Sequence, residues 1–328
     1  MKTCCFIIPY FGKFPNYFPL FLKTCSWNKN FSWLVITDIE TRYDYPDNFR
    51  VVKMTFAQLK ELIQSKFDFQ IAVDSPYKLC DYKPAYGYIF EEYLQGVDFW
   101  GHCDVDTLMG DLSAFITQEL LEKYEKIFCI GHMVLYRNTF KNNRVFMSTY
   151  KGAELYKRVF STNDICWFDE EYKNDHNINE IFISQNKKVF TTDYSLNLRI
   201  LPTKFVRSRY LGLQNCKENH GYKVEKYRRA IYTWEKGHVY RYYILDGQIK
   251  REEFLYAHFL RRKMELDQRV IGLDIFKIIP NKFLPLECYP ISLDNFWKIK
   301  NSSLTLHYFR VKIQPKLKKL RKQFQVNF

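Results

Sequence analysis

Several patterns that define common protein classes are missing from this sequence. Its nine cysteines are odd in number and include no Cys-x-x-Cys pair, which argues against a zinc ribbon or a disulfide framework and favours reduced, mostly buried thiols. It contains no Gly-x-Gly-x-x-Gly motif, so a classical dinucleotide-binding fold is disfavoured. No apolar run approaches the ~20 residues that a membrane-spanning helix needs. We find no internal repeat and no low-complexity linker.

The N-terminus imitates a signal peptide only briefly. Apolar residues fill positions 4–8, but Gly12, Lys13 and Pro15 then interrupt the run, and no small-residue cleavage site follows. We therefore expect a cytoplasmic protein. Hydrophobic residues make up 47% of the 328 positions, which is enough for one large domain or a domain with an appendage.

The net charge of +14 is unevenly distributed along the chain. Residues 1–130 hold 13 Lys and Arg against 17 Asp and Glu, whereas residues 201–328 hold 27 against 11. This division suggests a metal and nucleotide site in the first part of the chain and a surface for anionic partners in the last third. The basic, aromatic-rich stretch 222–229 leaves a nucleic-acid-binding protein as an alternative. Because no known DNA- or RNA-binding motif occurs, we expect no nucleic-acid partner.

Buried-strand patterns alternate with helical spacing in the first part of the chain. The predicted strands are Cys4–Tyr10, Trp33–Asp38 and Phe49–Met54, and the predicted helices span about 17–26, 56–67 and 81–94. This alternation predicts an α/β fold with a doubly wound, Rossmann-like sheet and helices on both faces. After residue 227, alternating residues predict antiparallel hairpins around Gly237 and Gly247.

Two carboxylates follow the apolar segment Phe99–Cys103. Asp104 and Asp106 are separated by one apolar residue, so on an extended strand end their side chains share a face. Two adjacent carboxylates repel each other unless a cation lies between them, and a hard divalent metal satisfies the pair. A metal-dependent phosphohydrolase could use the same carboxylates, although such a site would normally have more His and Asp ligands.

Five segments together resemble a bacterial GT-A-like glycosyltransferase family encoded in capsule and O-antigen loci. They are Ile7–Lys13, Lys78–Pro84, Trp100–Asp106, Gly131–Met133 and His258–Met264, and the resemblance covers roughly residues 1–280. It implies a GT-A-like mixed sheet and an Mn²⁺- or Mg²⁺-dependent transfer. We expect inversion at the sugar, for which the carboxylate of Asp169 is the only hint, and retention is the alternative. The expected donor is a nucleotide sugar, with a UDP-sugar favoured. The expected acceptor is a glycan, linked to a lipid diphosphate, in surface polysaccharide synthesis.

The resemblance also assigns the metal ligands. It implies that Asp106 binds the metal directly and that Asp104 faces the ribose or the metal's waters. His258 is the expected third ligand, with an ordinary helix histidine as the alternative. The cations at positions 261–263 follow it, and we expect Arg262 and Lys263 to neutralise the leaving diphosphate. The alternative for this basic run is a solvated face.

Further residues are candidates for the nucleotide and the acceptor. Tyr10, Asp38, Lys78 and Asp81 are predicted to contact the nucleotide. An aromatic ring can stack on the base, and a carboxylate at a strand end can accept hydrogen bonds from the ribose hydroxyls or the base N–H. For Asp81 the alternative is a helix cap, and both roles could hold together. Asp169 and Glu170 follow Trp167 and Phe168 and are candidates for the general base, Asp169 being preferred. A solvated acidic loop is the alternative. His132 is predicted to contact the acceptor.

We expect residues 1–270 to form the catalytic domain, with a nucleotide-binding half over about 1–130 and an acceptor half over about 131–270. Residues 271–328 are predicted to be a basic C-terminal extension. Seven cations and no acid occur between positions 310 and 322: Arg310, Lys312, Lys316, Lys318, Lys319, Arg321 and Lys322. A helix beginning near Pro315 would bind the anionic inner face of the cytoplasmic membrane peripherally; a solvated C-terminus is the alternative.

Overall fold

A computed structural model describes most of the chain. It covers residues 2–304 except 171–175, 213, 217–218 and 261, together with residues 306, 309 and 313. The predicted helix near Pro315 and Arg261, the first cation of the run at positions 261–263, lie outside these residues. No helix among the described residues is both long and apolar enough to cross a membrane.

The bounds of the regular elements are as follows. The strands are β1 Cys4–Pro9, β2 Phe31–Thr37, β3 Phe49–Lys53, β4 Phe99–Cys103, β5 Thr107–Met109, β6 Lys126–Ile130, β7 Met133–Arg137, β8 Val189–Phe190, β9 Leu196–Asn197, β10 Ser208–Tyr210, β11 Tyr222–Val224, β12 Ile231–Glu235, β13 His238–Leu245, β14 Gln248–Phe254, β15 Tyr256–His258, β16 Glu265–Leu266, β17 Ile275–Ile279 and β18 Lys282–Pro285. The α-helices are α1 Phe18–Ser26, α2 Phe56–Ser65, α3 Leu79–Tyr82, α4 Tyr86–Ile89, α5 Leu112–Phe115, α6 Gln118–Lys123, α7 Leu155–Phe160, α8 Ile178–Ser184 and α9 Leu293–Phe296.

The largest sheet has seven strands in the order β3-β2-β1-β4-β7-β6-β8. Its first four strands are parallel, β7 is antiparallel to both β4 and β6, and β8 is parallel to β6. The predicted α/β class is confirmed, because parallel strands need crossover connections and α1 and α2 lie in those connections. The three predicted N-terminal strands are also confirmed.

Helices cover both faces of this sheet. Phe6 packs on one side with Phe18 and Phe21 of α1, whereas its neighbour Ile7 packs on the other side with helix α2. Successive strand residues point to opposite faces, and here both faces are apolar. The continuous hydrophobic run of β1 is therefore the expected sequence of a strand buried on both sides.

The predicted helix over 81–94 is wrong as a single element. The structure divides it into α3 and α4, with 3-10 turns on either side of α4. Pro84 lacks a backbone N–H and cannot support a continuous helix. Gly87 lies so close to Trp100 that a Cβ atom would be 2.1 Å from the indole ring, so this segment follows the sheet surface closely.

The second half of the chain forms an antiparallel sheet in the order β14-β13-β12-β17-β18-β16. The predicted hairpins are confirmed, with Gly237 and Gly247 in the left-handed region at the two turns. The predicted domain boundary at residue 270 falls inside this sheet, because β17 pairs with β12. Phe276 stacks on Trp234 in the core. Residues 275–285 therefore belong to the sheet and are not part of an extension.

Candidate active site

The two carboxylates lie where the chain leaves β4 and enters β5. Every residue of β4 is buried, and the turn that follows is held by two hydrogen bonds. The Asp104 N–H donates to the carbonyl of His132 at 3.0 Å, and the Thr107 hydroxyl donates to the carbonyl of Asp104 at 2.7 Å. Asp104 and Asp106 are consequently fixed at the carboxyl end of a central strand, with both side chains partly exposed.

His258 reaches the same point from a distant part of the sequence. It ends β15, which pairs with β5 so that His258 lies opposite Thr107. Its Nε2 is 3.4 Å from Asp106 Oδ1 and 3.9 Å from Asp104 Oδ2, and one ligand atom of each residue lies within 4.8 Å of the others. The structure therefore brings the three predicted ligands together, but His258 is on a strand and not on a helix.

A buried amide orients the His258 ring. Asn197 of β9 places its Oδ1 3.2 Å from His258 Nδ1, and a carbonyl oxygen can only accept a hydrogen bond. With a proton on Nδ1, the His258 ring presents Nε2 to the two carboxylates. Burial would lower the pKa of His258, but the charges of Asp106 and Asp104 outweigh it and raise that pKa. A metal ion at this point would take the place of a proton on Nε2. Two carboxylates and one imidazole could hold a divalent cation and would leave further coordination positions for a ligand.

The side chain of Lys83 connects this cluster to a second pair of acids. Its Nζ lies 2.9 Å from Asp104 Oδ1, 3.4 Å from Asp169 Oδ2 and 2.7 Å from the Gly131 carbonyl oxygen. Burial alone would lower the pKa of Lys83, but the carboxylates of Asp104 and Asp169 outweigh it and hold the pKa well above its ordinary value. Lys83 is therefore a fixed internal cation.

Asp169 and Glu170 lie against the turn between β6 and β7. Asp169 is 4% exposed, and Glu170 Oε2 accepts a hydrogen bond from the Gly131 N–H at 3.2 Å. Burial raises the pKa of Asp169 to about 7; Lys83 opposes this shift and Glu170 adds to it. Burial also raises the pKa of Glu170. A carboxyl group with a pKa near neutrality can both accept and release a proton, whereas a solvated acidic loop would not shift in this way.

We predict that Gly131→Ala destabilises the protein by about 1–3 kcal/mol, the usual cost of overpacking. A Cβ at this position would lie 2.6 Å from Asp169 Oδ2 and 3.2 Å from Glu170 Oε2, so the acid pair would have to move. Urea unfolding measures the change. Gly272→Ala is the matched control, because its Cβ would meet no atom within 4 Å. Equal stability of the two variants would contradict this packing.

The predicted nucleotide contacts Lys78 and Asp81 lie inside the protein. Their side chains are 1% and 0% exposed and form an ion pair of 2.8 Å. Asp81 does not cap its own helix. Its carboxylate accepts hydrogen bonds from the N–H groups of Cys166 and Phe168. These positions do not fit a nucleotide contact; the pair instead holds the segment that leads to Asp169.

The basic run after His258 is also placed differently from the prediction. Arg262 is buried, and its guanidinium donates to the carbonyls of Arg199 and Leu201 and to Asn281 Oδ1. It therefore supports a loop and is not directed at a diphosphate. Lys263 is exposed, which agrees with the alternative interpretation of this basic run as a solvated face.

His132 lies behind His258 and does not face an acceptor. The two rings are 4.2 Å apart between centroids, and His132 Nδ1 is 2.5 Å from the Tyr256 hydroxyl. Burial, together with the positive charges around it, lowers the pKa of His132 well below its ordinary value. A buried neutral imidazole at this position does not fit the predicted acceptor contact, and it supports the His258 ring instead.

Tyr10 follows β1 and Asp38 follows β2, at the sheet edge where Asp104 and Asp106 follow β4. Tyr10 stacks on Phe14 at 4.6 Å between centroids, and burial followed by the charges of Asp106 and Asp104 raises its pKa. Asp38 is exposed and lines a pocket of about 760 Å³ beyond the ends of β2 and β3. Tyr43 and Lys53 line the same pocket. The predicted nucleotide contacts of Tyr10 and Asp38 therefore remain available.

A family model described as a family of unknown function (DUF6625) matches residues 6–287. The chain belongs to this family. A search of curated proteins finds no match. All of the candidate residues discussed above, from Tyr10 to Lys263, fall inside the part of the chain that matches DUF6625.

Sequence reasoning missed three residues of the site in this DUF6625 member. Lys83 and Gly131 occur in segments that carry the resemblance, but neither spacing nor residue type showed that they meet at Asp169. Asn197 had no local signal at all, since its role depends on the pairing of β9 with β15. Each of these contacts joins elements that are far apart in the sequence.

Proposed function

We propose that this protein is a metal-dependent glycosyltransferase that moves a sugar from a nucleotide-sugar donor to a glycan acceptor. The observation that carries the proposal is the cluster of Asp104, Asp106 and His258, at the carboxyl end of a parallel strand and joined through Lys83 to the buried Asp169. Ligands of α/β folds bind at this edge of the sheet. A metal centre next to a carboxyl group with a pKa near 7 suits the transfer of a group from a diphosphate to a hydroxyl.

A GT-A-like fold is part of the proposal. Its support is the seven-stranded mixed sheet, in which four parallel strands are followed by the antiparallel β7. The Asp-x-Asp pair directly follows β4, in agreement with the resemblance of Trp100–Asp106 to that family. The pocket beside Asp38 provides space for a nucleoside at the neighbouring strand ends.

In the proposed enzyme, Asp104, Asp106 and His258 would hold Mn²⁺ or Mg²⁺. When bound, the cation would supply positive charge to offset the negative charge of the leaving diphosphate. Tyr10 offers an aromatic face and Asp38 a carboxylate to the nucleoside, with UDP as the favoured carrier. Asp169 accepts the proton of the acceptor hydroxyl, because burial makes its carboxylate more basic than an exposed one. Lys83 keeps that carboxylate in place.

Calorimetry with UDP and GDP tests the proposal. We expect binding in the presence of Mn²⁺ or Mg²⁺ and its loss in EDTA, since Asp104 and Asp106 would repel a diphosphate unless a cation offset their charge. Nucleotide binding of equal strength in EDTA would contradict a metal-bridged donor site. Hydrolysis of simple phosphate esters without nucleotide binding would favour a phosphohydrolase instead.

We also propose that the protein acts at the cytoplasmic face of the membrane. Large apolar side chains are exposed in the last described segment: Tyr289, Leu293, Trp297, Leu304, Leu306, Phe309 and Ile313. The seven cations at positions 310–322 coincide with the end of this segment and continue beyond it. Exposed apolar groups beside a run of cations suit reversible binding to an anionic bilayer, where a lipid-linked acceptor would lie.

Replacing the seven cations at positions 310–322 by glutamine should abolish co-sedimentation with anionic liposomes. Each cation near the surface adds roughly 1 kcal/mol of attraction, and high salt should weaken binding of the unmodified protein. Liposomes of zwitterionic lipid serve as the control. If the variant and the unmodified protein co-sediment equally with anionic liposomes, residues 310–322 do not bind the membrane and are only a solvated C-terminus.

A further inference from the structure

A second pocket, of about 350 Å³, lies between the β10–β11 ribbon and strand β13. Its walls combine aromatic rings with cations. The aromatic residues are Phe205, Tyr232 and Tyr243, and the cations are Arg207, Lys223, Lys226, Arg228 and Arg241. Glu225 is the one acid that lines it. A pocket of this composition offers apolar surface and positive charge to the same ligand.

The inner cations of this pocket are already neutralised. Arg241 contacts both Glu225 and Glu252 at 2.5 Å, and Arg207 lies 3.6 Å and 3.5 Å from the same two carboxylates. Two arginines and two glutamates therefore balance each other in charge. They form the floor of the pocket, where each arginine contacts both carboxylates.

The rim of the pocket consists of Lys223, Lys226 and Arg228, and it carries the remaining charge. All three side chains are exposed. Within the described part of the chain, no carboxylate lies within 4.0 Å of any of them. Arg228 lies over the Tyr243 ring, 4.9 Å from its centroid. Three uncompensated cations around an aromatic wall leave the pocket suited to an oxyanion.

Strand β11 separates this pocket from the acid pair of the active site. Lys223 lines the pocket, whereas its neighbour Tyr222 points to the opposite face, where it packs with Cys129 and Ile130. Burial and then the charge of Glu170 raise the pKa of Tyr222 well above its ordinary value. The charge of Glu170 therefore acts on the face of β11 opposite to the pocket.

The pocket floor and the metal cluster are also supported by one short segment. The Arg207 Nε donates to the Ser195 carbonyl at 2.8 Å, and Asn197, two residues further, orients His258. A ligand that fills the pocket thus lies beside the elements that hold the proposed catalytic groups. This position suits an outlying part of the acceptor.

We propose that this pocket binds the anionic group of an acidic saccharide, either a sugar phosphate or a uronate, in the acceptor glycan. The rim cations bind the oxyanion, and Tyr243, which is partly exposed, offers apolar surface to the C–H groups of the sugar ring. The assignment of this ligand to the acceptor rests on the proposed glycosyltransferase function. The binding of acidic saccharides itself does not require that function.

The experiment measures binding of three probes in EDTA, by calorimetry or ligand-observed NMR: glucose 6-phosphate, glucuronic acid and neutral glucose. We expect the charged probes to bind more tightly than glucose, and their order distinguishes phosphate from carboxylate as the preferred group. The triple variant K223Q/K226Q/R228Q should bind the charged probes about tenfold more weakly, since it loses three charge-assisted contacts.

A second triple variant, K29Q/K141Q/K188Q, is the matched control. It removes the same charge from exposed positions that do not line the pocket, and it should bind the charged probes as the unmodified protein does. Equal weakening by both variants, or equal binding of glucose and the charged probes, would overturn the proposal. Salt-dependent binding of oligonucleotides that is lost only in the K223Q/K226Q/R228Q variant, without saccharide binding, would overturn it in favour of nucleic acid.

The two proposals can fail separately. EDTA removes the metal on which the proposed donor site depends, so the saccharide measurement does not report on that site. Absence of metal-dependent UDP or GDP binding, together with rim-dependent binding of charged saccharides, would reject the transferase and keep the pocket assignment. Metal-dependent UDP or GDP binding without rim-dependent binding of charged saccharides would keep the transferase proposal and reject the assignment of a saccharide to the pocket.

Discussion

Asp106→Asn should weaken Mn²⁺-dependent nucleotide binding by about 100-fold or more. Substitution of a residue that only hydrogen-bonds to a metal ligand already costs about 10–100-fold in affinity, and loss of a ligand should cost at least as much. The substitution replaces a charged oxygen ligand by a neutral amide of nearly the same shape. Asp106 Oδ1 lies 3.4 Å from His258 Nε2, so its charge is at the centre of the proposed metal site. Calorimetric titration of Mn²⁺ and then of UDP measures both steps.

Asp111→Asn is the matched control for this experiment. It removes one negative charge from the same segment, but Asp111 caps α5 by accepting hydrogen bonds from the N–H groups of Ser113 and Ala114. Asparagine caps helices as well as aspartate does, so metal and nucleotide binding should be unchanged. Tight, metal-dependent nucleotide binding by Asp106→Asn would remove Asp106 from the ligand set.

Asp169→Asn should retain nucleotide binding and reduce turnover by about 10²–10⁴-fold, the usual contribution of a general base. The amide keeps the size of the side chain but cannot accept the acceptor's proton. Turnover of the unmodified enzyme should rise as the pH rises through about 7, because burial raises the pKa of Asp169 to that value and only the ionised form is a base. The residual turnover of the variant should lack this dependence.

The unfolding temperature of Asp169→Asn shows whether a loss of turnover is caused by misfolding. The pKa of Asp169 is about 7 in the folded protein and 3.8 as its ordinary value. The folded state therefore holds the proton more tightly, and stability declines as the pH rises between these two values. Asp169→Asn should unfold at no lower temperature than the unmodified protein at pH 8. Near-normal turnover of this variant would point to Glu170, and Glu170→Gln would be compared next.

The sequence predicted the local parts of this site because they depend on local rules. The alternation of side chains along an extended segment places Asp104 and Asp106 on one face, and the buried strand before them is visible as an unbroken apolar run. The N-terminal strands and helix α2 followed from hydrophobic periodicity in the same way. The cap of α5 by Asp111, two residues after β5, follows a local rule of the same kind.

Residue type alone did not distinguish exposed charges from buried ones. Lys78, Asp81 and Arg262 were assigned to ligands because their charges suit a nucleotide. The structure places all three inside the protein, where ion pairs and backbone carbonyls satisfy them. The partners lie as far away in the sequence as Cys166 and Leu201, and no local pattern identifies such partners.

The domain boundary was misplaced for a related reason. The charge balance changes gradually towards the C-terminus, and the prediction treated residues after 270 as an appendage. The alternation of Phe276 and Ile278 was the available signal for a strand. Its pairing with β12 could not be read from that alternation, because the order of strands in an antiparallel sheet depends on tertiary contacts.

The position of His258 has a consequence for how the protein folds. Strand β15 joins β5 and β9 in a small three-stranded sheet, and its partners are distant in the sequence. Pairings of this kind form more slowly than the hairpin of β12 and β13, because a long loop must close first. In a folding intermediate in which β15 has not yet paired with β5, Asp104 and Asp106 would lack the imidazole of His258. The appearance of tight metal affinity during refolding should therefore report the pairing of β15 with β5.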